Sequence, residues 1–589
     1  MCTIKIILVI NPIHFSCWIC FGNGEPEYSK YFLQWTIKEE LQCGWYPHLL
    51  CTTDISVNLS YITEGSLAEN KSTAKTKFTN DIEVELKSAS FMVPTLNEVN
   101  IDSIADGHLV AVHGMVQDMF NAELYMNEFN LPSCHDRPLS LCFRDFGPQE
   151  LDLSEEPQNV KFCERQSFYI VPVPGESDWV QKISFYLNLY CYDYSYVYDS
   201  PTDSLKINEI VHIYGILEHA RLGSYASQDE FIQDGKGSEP LPRVHAVVVR
   251  RMKHNNPLLT DLPATLSGLD GEIKAVRENT MKLLINCLQS DKVAAEYMLL
   301  HLISSRLPVD SPYPTTLPAL NLICQNADTD MVQDTSSNGE AMEVQSDLDQ
   351  SSELLRRLLN LLPTLVTHLS TVDVNLNALN NGPCLMPIRD STKGVLNAGR
   401  LQLPNGTQVL ADETRMTTGQ LQARGLLNLR AINLLATQQR VPYDFQFYTQ
   451  EWETNARVLI VSVGPSIIKP VLSIPYRPES ENQLTTASVL TKQQWSDIRK
   501  YISLLPLCNG RFLMDTALQQ QINSDFVRWR RDKATFIEAD DFAIMLCLLR
   551  LLCLSYGDEQ ATLEHWHMVC NLERERQLRM KTYKVQPAG

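Results

Sequence analysis

Residues Ala398 to Glu413, AGRLQLPNGTQVLADE, decide how the rest of the chain is read. They predict a strand, a tight turn and a second strand. Asn405-Gly406 is a strong turn dipeptide, and Val409, Leu410 and Ala411 make a short apolar run of the buried-strand type. Asp412 and Glu413 stand where that second strand emerges. Two adjacent carboxylates at the mouth of a buried strand have two readings. They are the polar end of an ordinary core strand, or the pair with which P-loop ATPases hold magnesium and orient the attacking water.

Working outward, Leu317 to Cys324 (LPALNLIC) is a continuous apolar run that fits a central strand of a parallel sheet. Gln325 to Ser352 carries seven acidic residues and no basic one, and reads by composition as a disordered loop. A helix is expected over Glu353 to Leu369, a strand over Val372 to Leu376, and then comes the opening stretch. Strand, loop, helix, strand, and a strand ending in Asp-Glu is the order of a P-loop core. A helix over Leu426 to Thr437 and a buried strand over Val458 to Val463 (VLIVSV) follow, with Pro465, Pro470, Pro475 and Pro478 closing the region. Glu272 to Leu288 and Lys292 to Ser305 have helical periodicity, as do Lys492 to Leu505, Leu513 to Arg531, Ala539 to Ser555 and Leu563 to Lys581.

Before residue 254 the pattern is different. Leu109 to Met119 and Leu205 to Leu217 alternate apolar and polar residues, and Phe168 to Val173, Ile183 to Cys191 and Pro242 to Met252 add further β runs. Short strands at this spacing predict a small β-barrel of the OB type. Tyr186, Tyr190, Tyr192, Tyr194, Tyr196 and Tyr198 are the residues such a barrel would use to stack bases, but no basic residues accompany them. The first ninety residues hold one expected amphipathic helix, Glu27 to Leu41, and a polar stretch from Thr52 to Thr79.

Bulk properties narrow the function. The chain has 589 residues, 44% hydrophobic and 20% charged, with room for three or four domains. Fifty basic against seventy acidic residues leave a formal charge of −20, a field that repels phosphate backbones and favours protein partners. The sixteen cysteines are scattered as buried free thiols are, and Cys17 and Cys20 form a lone C-x-x-C without further ligands, so no metal is expected. Ile6 to Ile10 imitates the core of a signal peptide, but Asn11, Pro12 and His14 interrupt it, and no cleavage is expected. Phe542 to Leu554, with Arg550 inside it, suits a core helix and is too short to cross a bilayer.

From about Val93 to about Arg576 the chain resembles the mini-chromosome maintenance (MCM) complex-binding protein family. The resemblance is carried by Val93 to Val99 (VPTLNEV), Gly114 to Phe120 (GMVQDMF), Gln149 to Leu153 (QELDL), Val171 to Ser177 (VPVPGES), Leu205 to Leu217, Ala294 to Ser304 (AAEYMLLHLIS) and Leu401 to Glu413. The long polar linker that the family has after VPVPGES is almost absent here. More distantly, AGRLQLPNGTQVLADE is similar to the Walker B region of the MCM helicase subunits. Lys500-Tyr501-Ile502, Phe526 to Arg530 and Ile537-Glu538-Ala539 resemble their helical lid.

The resemblance implies a multidomain α/β fold. It comprises a poorly defined region 1–90, an OB-like β-barrel over 91–253, a degenerate AAA+-like α/β core over 254–480 and a helical lid-like domain over 481–589. Hydrolysis needs a glycine-rich cradle whose amides and lysine surround the phosphates, yet residues 325–352 have no G-x-x-x-x-G-K-[ST] and no lysine or arginine. Ser462, Val463 and Gly464 stand where a sensor asparagine is expected, and Asp540 where the lid arginine is expected. Asp412 and Glu413 are thus expected to be relics, with no catalytic residue, cofactor or metal. The resemblance implies a non-enzymatic protein that associates with MCM helicase subunits in complex assembly, protection or unloading. It implies a nuclear location with a cytoplasmic pool, chromatin contact through partners, no direct nucleic-acid binding and no membrane. An OB-type single-strand binder and an active AAA+ ATPase are the alternatives.

Overall fold

Alternation of apolar and polar residues builds the first of two units, Met1–Val173 with Tyr186–Lys253. The computed structural model describes residues 3–11, 14–22, 34–38, 54–58, 93–96, 101–130, 157–184, 193–198, 205–219, 242–259, 270–307, 319–324, 353–392, 394–469, 472–478, 490–531 and 539–585. Strands β1 (Thr3–Asn11), β2 (His14–Gly22), β3 (Gln34–Lys38) and β4 (Asp54–Asn58) form an antiparallel sheet in chain order. Gln34–Lys38 falls inside the expected helix over Glu27 to Leu41 and is a strand instead. Trp35 and Ile37 alternate with Gln34, Thr36 and Lys38, a period of two that suits pairing with β2 and β4.

Strands β5 (Leu109–Asn130), β6 (Gln158–Val171), β7 (Asp193–Tyr198), β8 (Ile210–Glu218) and β9 (Arg243–Arg251) close into a barrel in the order β5-β6-β7-β9-β8. Counted along the chain that order is first, second, third, fifth, fourth, and the third and fifth strands run parallel. Val110, Val112, Phe168, Ile170, Val211, Ile213, Leu217 and Val244 fill its core. Closure brings backbones close together at Gly215, where a Cβ would lie 2.6 Å from the His245 carbonyl oxygen, and the register shifts at Tyr214/Gly215. The β run expected over Ile183 to Cys191 is not there at its start: Asp178–Ser184 is a helix, α1. Tyr194, Tyr196 and Tyr198 fall on β7; Tyr186, Tyr190 and Tyr192 lie outside the described residues.

The second unit comprises Pro174–Phe185 and His254–Gly589. Its centre is a five-stranded sheet of β10 (Leu320–Cys324), β11 (Leu369–Asp373), β14 (Gln408–Glu413), β17 (Arg457–Val463) and β18 (Leu472–Tyr476). All neighbours run parallel in the order β11-β14-β17-β10-β18, so the strands stand second, third, fourth, first, fifth. A smaller sheet joins β12 (Ile388–Asp390), β13 (Val395–Asn397), β15 (Arg440–Asp444) and β16 (Thr449–Glu453) in the order β13-β12-β15-β16. Around the large sheet lie α2 (Asp270–Cys287), α3 (Lys292–Leu302), α4 (residues 353–365), α5 (Leu376–Asn381), α6 (Ala423–Gln438), α7 (Lys492–Cys508), α8 (Thr516–Arg531), α9 (Ala539–Ser555) and α10 (Leu563–Val585). One apolar core runs from β10, β14 and β17 through α3 and α4 to Leu548, Leu552 and Trp566 of the C-terminal helices.

Strand β18 contains Pro475, which the sequence places in a closing loop. A proline lacks the N–H of an inner ladder, and β18 tolerates it because it is the edge strand. The outer side of that edge is covered by α10. Arg576 Nη1 donates to Ser473 O at 3.2 Å, and Arg579 Nη1 to Pro475 O at 3.4 Å. Arg579 also holds Asp291, with Nη1 at 2.9 and 2.7 Å from its two carboxylate oxygens. The Asp291 side chain is fully buried, caps α3 by accepting from Ala294 N at 3.0 Å, and accepts from Arg477 N at 3.0 Å.

At the opposite edge the segment after β6 docks beside β11. Gly175 has φ +70°, and a Cβ there would meet Leu369 O at 2.5 Å, so only glycine fits. Leu369 N donates to Gly175 O at 2.7 Å and Ser177 N to Thr367 O at 2.9 Å. Ser177 Oγ and Trp179 Nε1 both donate to Val366 O, at 2.7 and 3.1 Å, and the Arg499 guanidinium lies 4.5 Å from the centre of the Trp179 ring. The PGES part of VPVPGES is therefore a strap on the parallel sheet. Within it, burial pushes the Glu176 carboxyl up to about 6, opposed by a hydrogen bond from Asn255 Nδ2 at 2.5 Å.

Two outcomes follow from these contacts. Asp291→Ala removes a helix cap and leaves the Arg579 guanidinium without its carboxylate, so urea denaturation is expected to register a loss of about 3 kcal/mol or more. Glu176 holds its proton more tightly folded than unfolded. Its contribution is complete below pH 4.5 and is lost as pH rises through about 6. Glu176→Gln is expected to flatten stability across that interval and to raise it by about 1 kcal/mol near neutral pH, read from denaturation midpoints at a series of pH values.

Candidate functional site

Val409, Leu410 and Ala411 are buried on β14 between β11 and β17, and Asp412 and Glu413 end that strand as its sequence predicts. The first half of the opening stretch is different. Leu401 and Leu403 are buried in turns, not in a strand, because Arg400 N and Leu401 N are taken up by Cys384 O and Leu385 O at 3.2 and 2.8 Å. The turn at Asn405-Gly406 forms, with Gly406 at φ +86°. It is tied to Asn455 through Gly406 N to Asn455 O at 2.6 Å and Asn455 N to Asn405 Oδ1 at 3.1 Å.

Both carboxylates are engaged in local bracing. Asp412 Oδ1 accepts from Thr414 N at 2.9 Å and from Thr414 Oγ1 at 2.6 Å, an Asx-type turn that ends the strand. The Glu413 carboxylate, 3% exposed, accepts from Ile467 N at 2.5 Å and from the Ser466 hydroxyl. Burial pushes its pKa above the ordinary carboxylate value, while these two donors act in the opposite direction. Glu413 thus fastens the loop after β17 to the end of β14. A water-orienting acid needs oxygens turned to an open site, and the donors on both oxygens of Glu413 do not fit that task.

On the adjacent strand, Glu413 is in register with Ser462. Ser462 Oγ is buried, 3.1 Å from Asn321 Oδ1 and 2.9 Å from Gly464 O. Val463 is 37% exposed, and Gly464 turns the chain at φ +80°. Asp540 lies exposed in the first turn of α9. The acidic stretch 325–352, where a phosphate cradle would lie, is outside the described residues. Among the described residues no group of three or more His, Cys, Asp or Glu could hold a metal ion, and no helix is long and apolar enough to cross a membrane. A cleft of about 490 Å³ opens elsewhere, on α8, lined by Asn523, Ser524, Val527, Arg528 and Arg531.

The hairpin of β15 and β16 has no counterpart in the sequence reading. Its loop, Phe445-Gln446-Phe447-Tyr448, lacks the Asn-Gly or Asp-Gly signature of a tight turn. The available signal is the short run Val441-Pro442-Tyr443 between Arg440 and Asp444, and Trp452 between Glu451 and Glu453, which fits two short strands with Val441 opposite Trp452. Phe447 at its tip is 89% exposed and Tyr448 59%.

The profile of one protein family, described as mini-chromosome maintenance replisome factor, matches residues 82–189 and 196–580. A Gallus gallus protein named mini-chromosome maintenance complex-binding protein is 27% identical, over 91% of this chain and 99% of its own length. Relatives of the same name from Homo sapiens and Arabidopsis thaliana are 27% and 25% identical, each over 84% of this chain and over 91% and 92% of their own lengths. These names describe proteins that bind a complex. With the family profile spanning both units, this chain belongs to the mini-chromosome maintenance replisome factor family.

Proposed function

We propose that this chain is a non-enzymatic factor that binds MCM helicase subunits and acts in their assembly, protection or removal from chromatin. The observation that carries this reading is the bonding of Glu413. An acid that would serve ATP hydrolysis is occupied by Ile467 N and the Ser466 hydroxyl, which makes it a brace of the scaffold. The relatives' printed name, MCM complex-binding protein, supplies the partner class.

The architecture supports a helicase-like origin for that scaffold. A parallel sheet in the order second, third, fourth, first, fifth, with the acidic pair at the end of the third strand, fits a degenerate AAA+-like core, and the C-terminal helices fit a lid-like domain. A closed barrel in the order first, second, third, fifth, fourth, with third and fifth parallel, fits an OB-like domain. A subunit-like body without a phosphate cradle can occupy the interface of a true neighbour without turning over ATP. The charge of −20 favours basic protein surfaces over phosphate backbones, so chromatin contact runs through the partner. The site of action on this reading is the nucleus, with a cytoplasmic pool.

Affinity purification of the full chain from cell extract, followed by mass spectrometry, is expected to recover MCM helicase subunits; a clean preparation without them overturns the proposal. Asp412→Asn combined with Glu413→Gln is expected to keep that association within about twofold, because neither substitution removes an exposed contact. Abolished association with an unchanged circular dichroism spectrum would assign the pair a direct role in binding.

A further inference from the structure

We infer that the tip of the β15–β16 hairpin is the anchor with which this chain grips its protein partner, Phe447 entering an apolar pocket on the partner's surface. This rests on the binding function proposed above and names the residues that execute it. At 89% exposure, Phe447 is the most exposed large hydrophobic side chain among the described residues. An aromatic ring left in water contributes nothing to the fold, and its burial in a partner recovers apolar area.

The tip is built to hold that ring in place. Phe445 and Tyr448 stack with centroids 5.0 Å apart and planes 14° apart. Phe445 N donates to Tyr448 O and Phe447 N to Phe445 O, both at 2.9 Å. Gln446 takes a left-handed backbone, φ +68°, fixed by its N–H to Asp444 Oδ1 at 2.8 Å and by Ser391 Oγ to its side-chain oxygen at 2.5 Å. A loop already ordered in its binding shape avoids most of the entropy lost on association, so an exposed aromatic on a rigid turn is suited to be a hot spot.

Charge selects the class of partner. The loop from Asp444 to Gln450, DFQFYTQ, has one carboxylate and no basic residue, and the adjacent edge strand adds Glu451 and Glu453. Arg440 lies 3.6 Å from each of those two carboxylates, and Arg306 Nη2 donates to Glu453 at 2.8 Å, so both guanidiniums beside the strand are already matched to carboxylates. Stacking on nucleic-acid bases needs cations beside the aromatic ring to neutralise phosphates, and here Arg306 and Arg440 are engaged by Glu453 and Glu451 while the tip itself carries only the Asp444 carboxylate. The pocket that fits is on a protein, apolar at its floor and basic at its rim.

The test compares the full chain with Phe447→Ala/Tyr448→Ser and with Phe447→Leu, measuring affinity for purified MCM helicase subunits, binding to a fluorescent single-stranded oligonucleotide, and thermal midpoint. The double variant is expected to lose about thirtyfold or more in subunit affinity at an unchanged midpoint, and Phe447→Leu to retain most of it by keeping apolar bulk. Subunit affinity of the double variant within twofold of the parent overturns the anchor while leaving the proposed function in place. Loss of oligonucleotide binding with subunit affinity intact overturns it in favour of a nucleic-acid contact. A parent chain that binds no subunits removes the proposed function, and the anchor with it.

Discussion

The ion pair between Asp291 and Arg579 is the constraint on which the second unit depends. A fully buried carboxylate is costly unless every lone pair is satisfied, and Asp291 meets that demand with a helix cap, a backbone amide and a guanidinium. Each of these bonds fixes a different element: α3, the chain after β18, and α10. Because Arg579 also donates to Pro475 O, the same pair closes the edge of the parallel sheet, whose unpaired carbonyls would otherwise be a template for another strand. A second, partly buried pair, Arg277 with Glu296, works alongside it. Arg277 Nε donates to Ser555 Oγ at 2.9 Å, and its guanidinium lies 4.0 Å over the Tyr556 ring, which draws α2, α3 and the end of α9 together.

The other edge is met at its start by the chain's own strap. Gly175, Ser177 and Trp179 satisfy Leu369 N and the carbonyls of Val366 and Thr367 where the chain enters β11. The strand-end acids belong to the same economy of local bonds: Asp412 ends β14 and Glu413 fastens the next loop, so chemistry and scaffold compete for one pair of side chains.

Much of this was legible in the sequence. Ala539 to Ser555 is a helix at the residues its periodicity marks, and Leu320–Cys324, Gln408–Glu413 and Arg457–Val463 are strands where unbroken apolar runs predict them. Where local pattern was ambiguous, it misled. Glu27 to Leu41 holds both a helical spacing and a two-residue alternation, and at Gln34–Lys38 pairing with β2 and β4 decides for the strand. The run expected from Ile183 begins in a helix instead, because Asp178 starts a helix that the docking of Trp179 supports, and residues 185–191 lie outside the described residues. Pro475 concealed β18, and the turn of the β15–β16 hairpin has no turn dipeptide to announce it.

The sequence by itself determined what one stretch cannot do, since the 28 positions 325–352, without a lysine or arginine, cannot present a phosphate-binding lysine whatever their conformation. It also determined most of the elements, because periods of 2.0 and 3.6 residues are local properties. Only the tertiary structure decided what the polar groups do. Asp291 meets Arg579 across 288 positions, Glu413 meets Ile467 across 54, and Trp179 meets Val366 across 187. Such pairs are set by strand order and burial, which bring distant donors and acceptors together where water is excluded, and no local pattern encodes that meeting.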